Sequence, residues 1–136
     1  MHTVYLGLGS NLGNREGNLC KALQEIGLRV GTVEAVSSFY TSEPWGFVSD
    51  YMFVNAVCRV LTDLAPMELL DVTQAIEYSL GRTEKSTDGI YHDRLIDIDI
   101  LLYDDLQVHT SRLTIPHPLM EERDFVTVPL AELRNG

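Results

Sequence analysis

The sequence predicts an α+β fold, a ferredoxin-like β-α-β-β-α-β plait in which helices pack on a mainly antiparallel sheet. Three observations predict it. Apolar residues recur at helical spacing in two separate stretches, 15–27 and 66–81. Short, β-rich runs flank each stretch. The two runs between the helices are parted only by a loop carrying Pro44 and Gly46, the kind of link that joins neighbouring strands of opposite direction.

Each element has its own local reason. "TVYLGL" (3–8) is short, largely apolar and β-rich, as a central strand is. After "GSNLGN" the helix "REGNLCKALQEIG" places Leu19, Ala22, Leu23 and Ile26 on one face, with Asn14 as N-cap and Gly27 or Gly31 as the stop. "TVEAVSSFYT" (32–41) reads as a second strand and "SEPWGFVSD" (42–50) as a loop. In "YMFVNAVCRVLT" (51–62) alternation sends Met52, Val54, Ala56, Cys58 and Val60 to one face. Tyr51, Phe53, Asn55, Val57 and Arg59 take the other. Pro66 suits the first turn of a helix whose inner face is Leu69, Leu70, Val72, Thr73, Ile76 and Leu80, ended by Gly81. Residues 82–93 are polar and glycine-containing, hence an exposed loop. The strand "DRLIDIDILLY" (93–103) follows, then a tight turn at 104–105 into "LQVHT". Residues 112–133 read as a strand, a proline-marked loop and short helical turns.

With 136 residues, 45% hydrophobic and 22% charged, the chain is expected to form a single domain over 1–136 with its own core. No apolar run approaches the roughly 18–20 residues of a membrane span, and "MHTVYLGLGS" lacks the order of a signal peptide. A cytoplasmic protein with no membrane association follows as the expectation, a monomer being favoured. Cys20 and Cys58 read as buried free thiols, and neither belongs to a CxxC pair. A net charge of −10 argues against nucleic-acid binding. An anionic ligand therefore requires the few bases to gather near it. Five of the ten, Arg82, Lys85, Arg94, Arg112 and Arg123, flank the acidic strand.

"GLGSNLG" invites a dinucleotide reading, but its glycines follow GxGxxxG, one residue longer than the fingerprint, so a sharp strand-to-helix turn is the better account. The acidic strand is more informative. Residues i and i+2 share a face about 6.5–7 Å apart, so Asp97 and Asp99 project side by side while Ile96, Ile98 and Ile100 enter the core. Like charges so placed repel, and Mg²⁺ is a natural counter-charge because it uses one or two carboxylates together with substrate phosphates. Nearby Arg94, Arg82 and Lys85 add the cationic groups that phosphoryl transfer employs. Phe53 and Asn55 on one strand face, with Trp45 and Phe125, suit a flat heterocycle, a buried Asn being able both to donate and to accept hydrogen bonds. His117, in "IPHP", has no carboxylate neighbour in sequence; it either donates to a phosphate or bonds backbone.

"YLGLGSNLGN", "SSFYTSEPWG", "YMFVNAV", "ELLDVTQAIEYSLGR", "DRLIDIDILLY" and "RLTIPHPLMEERDFVTVPL", in this order, resemble the 6-hydroxymethyl-7,8-dihydropterin pyrophosphokinase family of folate biosynthesis over nearly the whole chain. The R-x-x-D-[aliphatic]-D-[aliphatic] core with "IPHP" downstream is its specific part. The resemblance implies transfer of a pyrophosphoryl group from ATP to the pterin's hydroxymethyl oxygen, releasing AMP. It implies that Asp97 and Asp99 hold two Mg²⁺ ions and that Arg82 and Arg94 steady the phosphates. Gln74, Glu77, Lys85, Ile100, Arg112, Thr114, His117 and Arg123 match nucleotide-contacting positions. Ser42, Pro44, Trp45, Phe53, Asn55, Tyr91 and Phe125 match the pterin pocket. The chain departs from the family at Glu84, at His92-Asp93 and at Pro118. Two other readings remain at this point: a nucleotide-sugar transferase, whose DxD also binds a metal diphosphate, and a regulatory ferredoxin-like module that binds a small ligand. The general base is open between Asp97 and a metal-acidified hydroxyl with no dedicated base.

Overall fold

The computed structural model describes residues 1–43, 51–81 and 95–134. In chain order they form β1 (His2–Ser10), α1 (Arg15–Arg29), β2 (Gly31–Val36), β3 (Tyr40–Ser42), β4 (Phe53–Thr62), α2 (Pro66–Ser79), β5 (Asp97–Tyr103), β6 (Val108–His109), β7 (Thr114–Ile115), a 3-10 turn (Met120–Glu122) and α3 (Asp124–Arg134). The main sheet runs β2-β4-β1-β5 with β3 also on β4, and β6 and β7 pair as a separate hairpin. Every pairing is antiparallel. β4 lies between β1 and β2, as the β-α-β-β-α-β plait requires.

Local chemistry sets the helix ends. Asn14 Oδ1 accepts the Gly17 N–H at 3.1 Å, and the Val30 N–H closes α1 on the Ile26 carbonyl at 2.9 Å. The helix runs through Gly27, which stops nothing; the chain turns at Gly31, where a Cβ would overlap the Leu61 carbonyl oxygen. At α2, Pro66 occupies the first turn and Glu68 reaches back to the Ala65 N–H at 3.0 Å.

The sheet is covered on both faces. Val4, Leu6 and Leu8 alternate toward α1 and α2, where they meet Leu19, Ala22, Ile26, Leu69 and Ile76 in one core. Val57 and Leu101 turn the other way, onto Val126, Leu130 and Leu133 of α3. Each such buried side chain contributes about 1.5–3 kcal/mol of transfer free energy. β5 changes character where α3 begins to cover it. Leu6 pairs with Ile100 but Tyr5 with Leu102, so Leu101 is an extra residue, a bulge. Leu101 and Leu102 consequently both join the α3 side, while Ile98, Ile100 and Tyr103 stay with α1 and α2. Acids alternate with isoleucines up to Asp99, and the run becomes wholly apolar beyond it.

Four expectations are corrected. The strand expected over 32–41 is interrupted after Val36, because Ser37 Oγ takes the Val57 N–H at 2.9 Å and Ser38 is bound by Glu132 of α3. The strand expected from residue 51 starts at Phe53. The final segment, expected as short helical turns, is an eleven-residue helix containing Pro129. Packing of Val126, Pro129, Leu130 and Leu133 on the sheet outweighs the missing proline N–H. Cys20 is exposed; Cys58 is buried, and burial pushes its thiol up to about 12. No helix among the described residues is long and apolar enough to cross a membrane.

Candidate active site

The two glycines of β1 organise the site. Gly9 pairs with Asn55 on one side and Asp97 on the other; Gly7 pairs likewise with Val57 and Asp99. Residues directly opposite in a sheet share a face. Asn55, Gly9 and Asp97 therefore form one row on the α3 side of the sheet, and Val57, Gly7 and Asp99 the next. Strands are about 4.8 Å apart, so the Asn55 and Asp97 backbones stand about 9.5 Å apart across a strip where β1 itself contributes no side chain. Sequence reasoning explained these glycines only as a turn, because their neighbours come from β4 and β5.

Asn55, 3% exposed, is fixed in orientation. Its Nδ2 donates to the Tyr40 carbonyl at 2.9 Å and to Ser42 Oγ at 2.8 Å. Both amide protons are used within the protein, so the side chain offers Oδ1, an acceptor, above Gly9. A Cβ built on Gly9 would lie 3.1 Å from Oδ1 and 3.4 Å from Phe53 Cδ1. Phe125 stands at the start of α3 with the Arg123 guanidinium carbon 5.6 Å from its ring centre.

Beside this strip opens a cleft of about 350 Å³, lined among others by Gln74, Glu77, Asp97, Asp99, His117 and Arg123. The aspartates are half-buried. Asp99 Oδ2 is 3.9 Å from Arg123 Nη1 and 4.0 Å from His117 Nε2. Arg123 is only 7% exposed. His117 thus does have a carboxylate neighbour, one supplied by another strand. Its Nδ1 accepts the Leu119 N–H at 3.3 Å, which leaves Nε2 to carry the proton of the neutral ring. Burial, then the nearby Arg123 charge, lowers its pKa, with Asp97 opposing. The His117 N–H is itself pinned to the Leu101 carbonyl at 3.0 Å, which seats this loop along the side of β5 away from β1.

At the rim, Arg112 Nη2 donates to Asp71 at 2.8 Å and lies 3.4 Å from Gln74 Oε1, so α2 holds the guanidinium in place. Thr114, on β7, is half-buried nearby in sequence. Pro118 lines the cleft. Ile100 has its side chain in the core on the opposite face from Asp99, which leaves its backbone as the part able to reach a nucleotide. Sequence reasoning missed Asp71, which carries no signal apart from its fold-dependent place beside Arg112. Pro44, Trp45, Arg82, Glu84, Lys85, Tyr91, His92, Asp93 and Arg94 lie outside the described residues.

Among the described residues no group of three or more His, Cys, Asp or Glu side chains forms a metal cage. A pair of carboxylates facing an open cleft still fits Mg²⁺, which completes its shell with water and phosphate oxygens.

A family model described as 7,8-dihydro-6-hydroxymethylpterin-pyrophosphokinase (HPPK) matches residues 5–135. The chain is similar to a 2-amino-4-hydroxy-6-hydroxymethyldihydropteridine pyrophosphokinase of Porphyromonas gingivalis, 51% identical over 134 residues, covering 98% of this chain and 91% of that relative. The enzyme of the same name from Aquifex aeolicus is 43% identical over 133 residues, covering 98% and 81%. Among solved structures, the Plasmodium falciparum HPPK-DHPS wild type with SDX-DHP superposes with a TM-score of 0.76 at 14% identity, covering 96% of this chain and 40% of that chain. At that identity the likeness concerns the fold, and this chain spans about two-fifths of the length of the HPPK-DHPS chain.

Proposed function

Since the chain belongs to the 7,8-dihydro-6-hydroxymethylpterin-pyrophosphokinase family, we propose that it moves the pyrophosphoryl group of ATP to the hydroxymethyl oxygen of 6-hydroxymethyl-7,8-dihydropterin by in-line displacement with two Mg²⁺ ions. The products are the pterin diphosphate and AMP. It is an ATP-dependent pyrophosphokinase of folate biosynthesis. The observation that carries the detailed reading is the adjacency, on one sheet face, of an acceptor-lined strip and a paired-carboxylate cleft.

Each residue has a role in this reading. Phe53 and Phe125 flank the pterin ring, and Asn55 Oδ1 accepts from N–H donors on its edge, held in that sense by Ser42. Asp97 and Asp99 would hold Mg²⁺, which when bound would offset the phosphate charge. Arg123 and the Nε2–H of His117 stand beside Asp99 to donate to phosphate oxygens, where charge accumulates during transfer. Arg112, Gln74, Thr114 and the Ile100 backbone face the rest of the nucleotide. Arg82, Lys85, Arg94, Pro44, Trp45 and Tyr91 join these sets on the resemblance alone. All described strands except the β6–β7 hairpin share one sheet, which supports reading 1–136 as a single catalytic domain.

The test is product identity. With ATP labelled at the β-phosphorus, Mg²⁺ and the reduced pterin, the label should enter the pterin as AMP appears. Formation of ADP and a pterin monophosphate overturns the reading.

A further inference from the structure

We propose that Glu77 is a positioning residue for the acidic pair, acting through the backbone of β5 rather than on the nucleotide. Among the described residues β5 is the outer strand of the sheet, so the backbone groups on its side away from β1 have no neighbouring strand there. The Ile98 N–H is one of them, and Ile98 lies between Asp97 and Asp99 in the chain. It donates to Glu77 Oε2 at 2.8 Å in a buried bond. Alternation in an antiparallel ladder then turns the peptide groups of Asp97 and Asp99 toward β1, where they pair with Gly9 and Gly7. The strand segment that bears both carboxylates is thus held from one side by β1 and, among the described residues, from the other by the Glu77 carboxylate of α2.

Glu77 is 5% exposed and sits on the inward face of α2 with Leu69, Thr73 and Ile76. Burying a carboxylate in an acidic chain, beside two more carboxylates, is costly. The return is a charge-assisted hydrogen bond, stronger than one from a neutral acceptor. Made at the midpoint of Asp97-Ile98-Asp99, it fixes the direction of both acids together. Partners that orient metal ligands without touching the metal typically change affinity or activity by about 10–100-fold when removed.

This inference rests on the reading of Asp97 and Asp99 as cation holders, and the experiment separates the two. The full chain is compared with E77Q, which keeps an oxygen for the Ile98 N–H, and E77A, which does not. E77M, which fills the same space without an oxygen, replaces E77A if that variant fails to fold. Mn²⁺ affinity in the presence of a non-hydrolysable ATP analogue is read by electron paramagnetic resonance, and Ile98 amide exchange by NMR. E77A or E77M is expected to weaken Mn²⁺ binding about tenfold and to speed Ile98 exchange at least as much, with E77Q staying within about threefold of wild type. Equal weakening by E77Q and E77A would mean that the charge acts directly on metal or nucleotide, and overturns the proposal. So does unchanged Mn²⁺ affinity in E77A or E77M, which leaves Glu77 a purely structural group. A wild-type chain that binds no Mn²⁺ overturns the assignment of Asp97 and Asp99 themselves.

Discussion

Gly9→Ala separates folding from ring binding at one atom. Gly9 lies inside β1 with no positive φ, so alanine is compatible with its backbone and is worth roughly 0.5–1 kcal/mol in strand stability by reducing the freedom of the unfolded chain. The added Cβ, however, stands 3.1 Å from Asn55 Oδ1 and 3.4 Å from Phe53 Cδ1, on the floor of the proposed pterin strip. Asn55 cannot retreat without stretching its 2.9 and 2.8 Å bonds to Tyr40 and Ser42. Overfilling a packed site costs about 1–3 kcal/mol, which corresponds to about 5- to 150-fold in pterin affinity. Calorimetric titration of pterin into chain saturated with a non-hydrolysable ATP analogue measures this, alongside thermal unfolding. The expected result is weaker pterin binding with stability within about 1–2 kcal/mol of wild type, because crowding of Asn55 and Phe53 in the free protein offsets the entropic gain. Gly7→Ala serves as control, since the atoms nearest its Cβ belong to the Leu101 side chain, at 3.4 Å. If Gly9→Ala binds pterin as wild type does, the strip between Asn55 and Asp97 is not where the ring lies.

Three further outcomes follow from other parts of the structure. Asp71→Ala frees Arg112 from an exposed pair worth about 0.2–1 kcal/mol, so KM for ATP should rise up to about fivefold with kcat nearly unchanged; a lowered KM refutes the positioning role. Gly31→Ala forces a Cβ against the Leu61 carbonyl where β2 meets β4, and urea denaturation should show a loss of about 3 kcal/mol; a loss under about 1 kcal/mol contradicts the packing described. Hydrogen bonding from the Thr3 N–H, then from His2, holds the Asp104 carboxyl below its ordinary 3.8. A lowered folded-state value gives stability that is complete above the unfolded value and lost as pH falls through the folded one. The difference in thermal midpoint between wild type and Asp104→Asn should therefore hold at neutral pH and shrink below about pH 4. A difference unchanged down to pH 2 runs against it.

Local order was legible in the sequence; order made by distant partners was not. Leu19, Ala22 and Ile26 at helical spacing after Asn14 specify α1 without outside help. The period-two pattern of Asp97, Ile98, Asp99 and Ile100 placed the acids on one face correctly. The break at Ser37 depends on Val57, twenty residues away, and on Glu132 in α3. α3 was obscured because Pro129 reads locally as a helix end, and only the sheet beneath gives its apolar stripe a partner. The glycines at 7 and 9 gain meaning from their cross-strand neighbours. His117 gained a carboxylate neighbour in the same way, from β5. The burial of Glu77 was hidden because a charged residue beside an apolar stripe reads as the edge of the exposed face.

The most direct measurement counts divalent ions in the assembled site. Mn²⁺ is titrated into chain saturated with a non-hydrolysable ATP analogue and pterin, for wild type and for the Asp97→Asn, Asp99→Asn double variant, with circular dichroism confirming that both are folded. The account expects two ions per chain in the wild type beyond those carried by free nucleotide, and their loss in the variant. Equal counts in two folded proteins would contradict it.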